Sequence, residues 1–570
     1  MRNILTSKLA AVIEGALEAA GASGIDVGAL IEVPPTKELG DYAFPCFQLA
    51  KRLRKAPNLI ASDIAAWVDE RIAKEPWLAK VETVGGYVNF FLDPGEAGRT
   101  VVQAILSPKE AWGRPGEGKT VVIDYSSPNI AKPFHIGHMR STIIGHSLAR
   151  IFELLGYRVV RLNYLGDWGT QFGKLIVAFR RWGEGLDLDT ATIPDLLRLY
   201  VKFHEEAEND PSLEDEARAA FRALEEGADE ERRLWRAFRE LSLKEFEQTY
   251  KRLGVGFDEY RGESAYNDKM EEAVARLAEL GLLEESEGAL VVHLGDLPPC
   301  LIKKKDGATL YATRDIAAAL DRFETYGFDH LLYVVGAPQQ LHFKQVFAVL
   351  EKMGCEWVDR LEHIAFGHIR FGDEQMSTRK GNVLFLNDLL DEAARRARAI
   401  IDERNPGLEN KDRVAEQVGI GAVVFNDLAH NRIKDIVFDW DAALNFEGDT
   451  GPYVQYTHAR TASLLKKAGW ERADVDGAVG PDDLVEPEAY ELVKRLAAFP
   501  EAIAKAAEQR EPSEVARQLI AICQGFNSFY HVHRILGSEK EKARAALAWA
   551  VKESVALGLY LLGIEAPEEM

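Results

Sequence analysis

Cysteine is scarce in this 570-residue chain: Cys46, Cys300, Cys355 and Cys523 stand far apart, with no short spacing that reads as a zinc site or a disulfide framework. The expectation is a reduced, cytoplasmic protein without a resident metal. Any run of about 18 apolar residues is also missing, which excludes a membrane-spanning helix and points to a soluble chain with no membrane partner. The opening MRNILTSKLAAVIEGALEAAGAS is interrupted by Glu14 and Glu18, so it reads as an amphipathic helix rather than a signal peptide. With 46 glycines and 22 prolines neither is in excess, and collagen-like or low-complexity readings fall away.

Positive charge is in deficit, with 69 Lys and Arg against 91 Asp and Glu, a net charge of −22. An acidic bulk argues against non-specific coating of nucleic acid and still permits a specific site on a local basic surface. The deficit is uneven: residues 205–233 carry 12 acidic and 4 basic side chains, whereas residues 1–115 carry 14 and 13. Lys51, Arg52, Arg54 and Lys55 cluster in the balanced part, a strip for a polyanion or, equally, a solvated helix face.

The length suits about three domains. The Gly/Pro-rich WGRPGEGK at 112–119 closes a small N-terminal α+β unit, 1–112, in which VETVGGYVNFFLD reads as antiparallel strands. Residues 113–450 then change to strand, helix, strand: TVVIDYS, an apolar-faced helix over about 135–155, and YRVVRLNYLG. A second such half has HLLYVVG (330–336), a helix to about Met353, and one alternating strand LEHIAFGHIRF. Two halves separated by an insertion over about 175–300, rich in long charged helices and read as scaffold, predict a doubly wound Rossmann-type nucleotide-binding domain. Residues 451–570 read as an all-α bundle of four or five amphipathic helices. The fold class is therefore multidomain α/β.

The sharpest chemical signal is SSPNIAKPFHIGHMRSTIIG, which follows the first strand of this region. His135 and His138 fall at a first helical turn, where unpaired N–H groups and the helix dipole favour phosphate, and Gly137 lets a nucleotide approach the backbone. This arrangement suits a triphosphate whose α-phosphorus gains charge during in-line attack. Two core or zinc-binding histidines are the bland alternative. It is weakened by the absence of an adjacent third ligand and by Ser127, Pro128, Asn129 and Lys132 at the carboxyl end of the strand, where open α/β sheets bind ligands. The loop DEQMSTRKGNV (373–383) offers Ser377, Thr378, Arg379 and Lys380 to a pyrophosphate leaving group. In LYATRDIAAALDR, Tyr311 and Asp315 are four apart, on one face if helical, and could grip a cationic substrate; Asp124 could be the second carboxylate or a helix cap.

Together these motifs resemble the class I aminoacyl-tRNA synthetases, and among them the arginyl family. HIGH at 135–138 matches the class signature, while SSPNIAKPFHIGH, NYLGDWGTQFG (163–173), LYATRDIAAALDR, MSTRKGNV and GPYVQYTHAR (451–460) are similar to arginyl-specific blocks. GDYAFPCFQLAKRL (40–53) and GYVNFFLD (86–93) resemble that family's extra N-terminal domain, so the likeness spans essentially the whole chain. The resemblance implies a two-step ligase. Arginine's carboxylate attacks the α-phosphorus of ATP, with Mg²⁺ assisting, and the terminal adenosine of tRNA(Arg) then takes the arginyl group on its 2′-hydroxyl. It implies that Asn129 and Gln339 hold the substrate's α-amino group, that His135 lies near its carboxylate, and that Asp124, Tyr311 and Asp315 contact its guanidinium. His135, Gly137, His138, Met376 and Ser377 would bind ATP. The segment from 451 would open an anticodon-binding domain, and the N-terminal unit would touch the outer corner of the tRNA. We expect the protein to act as a monomer.

Two departures stand out. The family's KMSKS loop here reads Gln375-Met376-Ser377-Thr378-Arg379, without either lysine. Some arginyl enzymes are thought to use a lysine just upstream of HIGH, here Lys132; Lys380 is the other candidate. Asp124 is one methylene shorter than the Glu of some relatives. The physics of the substrate agrees with the resemblance, because telling arginine from lysine needs a planar two-point acceptor, which a carboxylate provides. A non-catalytic tRNA-binding paralogue would have shed His135, His138, Lys132 or Asp315, and a minimal adenylate-forming ligase would leave the two terminal units without a purpose.

Overall fold

A computed structural model describes residues 3–108, 112–305, 310–371 and 385–570. At the N-terminus Asn3 caps the helix Ile4–Ala19 by accepting from the Leu5 and Thr6 amides, and Leu5, Leu9, Ile13 and Leu17 recur at helical spacing on its buried side. That stripe belongs to the core that also takes in a three-stranded antiparallel sheet, in which Tyr87–Leu92 lies between Tyr42–Pro45 and Leu78–Val84. Gly85, at φ 60°, supplies the left-handed residue of the hairpin turn.

The central sheet has five parallel strands in the order Leu361–Phe366, His330–Gly336, Thr120–Asp124, Arg158–Asn163 and Glu259–Tyr260. Its middle strands are apolar along their length because helices cover both faces. Chain order runs outward from the adjacent pair Thr120–Asp124 and His330–Gly336, so a crevice opens at their carboxyl ends. The helix Ile136–Leu154 packs closely there, since a Cβ on Gly145 would come within 2.3 Å of the Tyr125 side chain.

Two expectations need correction. LEHIAFGHIRF is not one strand: Leu361–Phe366 joins the main sheet, whereas Ile369–Phe371 pairs with Ile436–Phe438. The break falls at Gly367, where a Cβ would sit 2.7 Å from the Ile433 and Lys434 carbonyl oxygens, and the next amide, His368 N, donates to Asp435 Oδ1 at 2.7 Å. Both pieces carry apolar residues suited to a strand, so composition could not reveal the break. The insertion is also more than charged helices. Besides Ile193–Asn209, Ser212–Glu226, Asp229–Leu253 and Asn267–Glu279, it contributes the main sheet's edge strand Glu259–Tyr260 and an antiparallel sheet of Glu284–Ser286, Ala289–Leu294 and Leu297–Lys303.

The C-terminal region folds into the helices Gly451–Ala468, Pro487–Ala497, Phe499–Gln509, Ser513–Val532 and Glu541–Leu561. The N-terminal unit docks on it: Lys494 Nζ is 3.6 Å from Asp41 Oδ1, the Arg472 guanidinium donates to the Leu106 carbonyl, and Gly95 lies so close to Pro481 that a Cβ would overlap its carbonyl. Among the described residues no helix is long and apolar enough to cross a membrane.

Candidate active site

The carboxyl end of Thr120–Asp124 leads into a contorted segment. Ser126, Ser127 and Ala131 all hold positive φ, at 70°, 48° and 57°, within six residues. Left-handed backbone costs a non-glycine residue roughly 1 kcal/mol or more and persists only where the surroundings enforce it. Here a buried network does so. The Ser126 amide donates to Ser141 Oγ at 2.9 Å, Ser141 Oγ donates to the Val334 carbonyl at 2.6 Å, Thr142 Oγ1 donates to Ser126 Oγ at 2.8 Å, and the Ala131 amide donates to Ser242 Oγ at 2.8 Å.

His135 caps the helix Ile136–Leu154, its Nδ1 accepting from the Gly137 amide at 3.0 Å, while His138 Nδ1 accepts from the His135 amide at 3.3 Å. With both Nδ1 atoms accepting, the neutral tautomers carry their hydrogens on Nε2. Burial disfavours the imidazolium of each, with Lys132 adding repulsion; His138 is driven down to about 3. The ring centroids are 4.0 Å apart, and Phe134 stacks on His138 at 5.3 Å. The site is therefore two neutral Nε2–H donors at a helix N-terminus beside a lysine, suited to phosphate oxygens.

A cavity of about 380 Å³ opens nearby, bordered by Asp124, Asn129, Tyr311, Asp315 and Gln339. Five residues expected to bind one substrate thus come together from three separate stretches of chain; His135 is not among the lining and stands at the helix start. Asp124 is already engaged, accepting from Ser127 Oγ at 2.9 Å and lying 2.9 Å from Arg322 Nη2, with Asp124 and Arg322 both buried. Asn129 is held by an isolated bridge to Gly166, which donates to the Pro128 carbonyl at 3.1 Å and accepts from the Ile130 amide at 3.2 Å.

The cavity also contains residues that the sequence reading passed over: Tyr164, Glu263, Tyr333, Val335, His342 and Phe343. Glu263 comes from the insertion taken for scaffold, and nothing in its local sequence marks it. Burial pushes its carboxyl up to about 7 against the pull of Arg314, 3.1 Å away. The Tyr164 hydroxyl is buried without a hydrogen-bond partner among the described residues. Only the spacing of Gln339 and His342, three apart at a helix start, hinted at His342.

Met376, Ser377, Arg379 and Lys380 lie outside the described residues. The chain resumes against the histidine motif: Phe385 bridges to His135, and the Leu386 amide donates to the Phe134 carbonyl at 2.9 Å. In the basic strip, Arg52 donates to the Ser23 carbonyl and Lys55 pairs with Asp63. A second cavity, about 600 Å³, lies between the helix Leu386–Arg404 and the C-terminal bundle, lined by Arg404, Tyr453, Tyr456 and Arg460 among others. The Arg460 guanidinium sits 4.7 Å from the Tyr456 ring centroid, and Tyr453 Oη accepts from Asn527 Nδ2 at 2.9 Å.

Three family models match: tRNA synthetases class I (R), catalytic domain, over residues 101–440; the DALR anticodon binding domain over 454–570; and the arginyl tRNA synthetase N terminal domain over 7–92. An arginine–tRNA ligase of Clostridium botulinum is 51% identical over 95% of this chain and 96% of its own length; one of Alkaliphilus metalliredigens is 49% identical over 95% of each. The arginyl-tRNA synthetase structure of Thermus thermophilus superposes with a TM-score of 0.80 at 28% identity, covering 99% of this chain and 100% of that one. That of Plasmodium falciparum shares the fold at a TM-score of 0.82, 23% identity and full coverage of both chains.

Proposed function

The chain belongs to the arginyl-tRNA synthetase family, a class I arginine–tRNA ligase that uses ATP as a substrate, and on that premise we propose how its residues divide the work. The observation that carries the reading is the single cavity bordered by Asp124, Asn129, Tyr311, Asp315 and Gln339 beside the two-histidine helix start. Asp315 and Tyr311 take the guanidinium of L-arginine, and Asp124, held in place by Arg322, borders the same cavity as a second contact. Asn129 and Gln339 take the α-amino group, leaving the carboxylate toward His135. The Nε2–H groups of His135 and His138, with Lys132, stabilise charge as arginine's carboxylate oxygen bonds to the α-phosphorus and the bond to pyrophosphate breaks. Gly137 leaves room for the nucleotide. Met376 and Ser377 contact ATP, and Arg379 and Lys380 attend the leaving pyrophosphate. Mg²⁺ enters on the triphosphate as part of that substrate; among the described residues no group of three or more His, Cys, Asp or Glu side chains is set to hold a metal.

In the second step the 2′-hydroxyl of the terminal adenosine of tRNA(Arg) displaces AMP. The cavity holding Tyr456 and Arg460 suits an unstacked anticodon base, and Lys51, Arg52, Arg54 and Lys55 suit the outer corner of the tRNA. The protein works in the cytoplasm as a monomer. The deciding experiment is arginine-dependent exchange of labelled pyrophosphate into ATP, with and without cognate tRNA. Exchange that requires tRNA supports the whole scheme. Exchange without tRNA keeps the adenylating chemistry and departs from the tRNA-dependent activation that the resemblance to the arginyl family implies. Silence from folded protein with tRNA overturns the assignment of roles.

A further inference from the structure

Three carboxylates border the arginine cavity, and each has a basic neighbour: Asp124 with Arg322 at 2.9 Å, Glu263 with Arg314 at 3.1 Å, and Asp315 with His342 at 2.6 Å. Two of these neighbours are permanent cations; His342 alone can be a neutral donor. An ionised carboxylate only accepts, so the hydrogen of this contact sits on His342 Nε2 and the bond goes to Asp315 Oδ2. The bond takes one lone pair of Oδ2 and sets the plane of the carboxylate, leaving Oδ1 and the remaining lone pair of Oδ2 for a ligand. His342 is itself held, as the third residue of the helix Gln340–Lys352, with its ring 5.4 Å from that of Phe343.

We infer that His342 is a positioning residue for amino-acid recognition, fixing Asp315 in the orientation that a planar guanidinium requires. The inference rests on the reading of this cavity as the arginine site. A guanidinium offers its N–H groups in one plane and loses contact when the acceptor plane turns, whereas an ammonium is served by any nearby oxygen. Releasing Asp315 to rotate therefore costs arginine binding more than lysine binding.

The test is steady-state pyrophosphate exchange with tRNA and saturating ATP for the wild type, His342→Ala, His342→Gln and Asp315→Ala, with lysine as a competitive inhibitor. His342→Ala is expected to raise KM for arginine about 10- to 100-fold, the size of one lost hydrogen bond to a charged group. It should leave kcat within about 3-fold and the lysine inhibition constant within a similar factor. His342→Gln, whose side-chain amide reaches the Nε2 position, should recover most of the loss, and its melting temperature should match that of the wild type. An unchanged KM in His342→Ala, a fall in kcat alone, or a Gln variant as impaired as Ala overturns the inference. Asp315→Ala separates the two levels. If it leaves KM unchanged, the reading of the cavity fails; if it raises KM while His342→Ala does not, only the role of His342 fails.

Discussion

The Asp124 carboxylate lies 2.9 Å from the Arg322 guanidinium, both shut away from solvent, at the border of the cavity that also holds Asp315. Burial pushes the Asp124 carboxyl up, and Arg322 pulls it back; Arg322 in turn rests near the rings of Tyr164 and Tyr333, 4.9 Å and 5.5 Å from their centroids. Removing one partner of such a pair strands the other, at a cost of about 3–5 kcal/mol. Arg322→Met should therefore lower stability by that order in urea denaturation and raise KM for arginine. The double variant Asp124→Asn with Arg322→Met should be less destabilised than the sum of the singles. Additive losses would show that the two residues act separately.

His146 sits in the middle of the helix Ile136–Leu154, buried against Gly563, and neither ring nitrogen has a hydrogen-bond partner among the described residues. Burial drives it down to about 3 from the ordinary 6.5. The unfolded chain thus binds a proton between those values and the folded chain does not, so stability falls as the pH drops from about 6.5 toward 3. The slope from this group is about 1.4 kcal/mol per pH unit. His138 adds a second contribution of the same sign. His146→Leu should stabilise the protein at pH 7 by about 1 kcal/mol and flatten the acid side of the profile. Urea midpoints at pH 7 and pH 5 measure both effects, and an unchanged difference between them would count against the account.

A Cβ on Gly166 would lie 2.0 Å from Asn129 Oδ1. Gly166→Ala must therefore displace the side chain assigned to the substrate's α-amino group. The expected result is a KM for arginine raised at least about tenfold, with little change in KM for ATP, since a shift near 1 Å in a positioning group is costly. Equal effects on both substrates would point to general disruption instead.

Lys132 lies close enough to His135 and His138 to lower the proton affinity of both rings. Lys132→Ala should slow adenylate formation by roughly 100-fold while changing arginine affinity little, because its charge is used as the triphosphate gains negative character. Single-turnover rates of adenylate formation give the answer, and a wild-type rate would remove Lys132 from the chemistry.

Replacing Lys51, Arg52 and Arg54 together by Ala should raise KM for tRNA, leave KM for arginine alone, and make tRNA binding less steep in salt by up to about 3 in the log–log slope. A salt dependence unchanged from the wild type would place the polyanion elsewhere.

Local chemistry made much of this protein legible from its sequence. His135 and His138 at a strand-to-helix junction, the apolar runs of the central strands and the helical spacing of the C-terminal segment are short-range patterns, and each corresponds to an element found in the fold. Tyr311 and Asp315 could be paired on a helix face for the same reason. What only the tertiary structure decided depends on which distant segments meet. Glu263 reaches the cavity from an insertion with no local mark, Arg322 neutralises Asp124 across nearly two hundred residues, and His342 claims an oxygen of Asp315 from the next helix. The break in LEHIAFGHIRF belongs to the same class, because Gly367 is required by the backbone of residues 433 and 434 rather than by its own neighbours. Side-chain spacing along one strand or helix is set by backbone geometry and can be read in one dimension. The burial and pairing of charges are set by whatever the folded chain brings within a few ångströms, and those partners exist only in three dimensions.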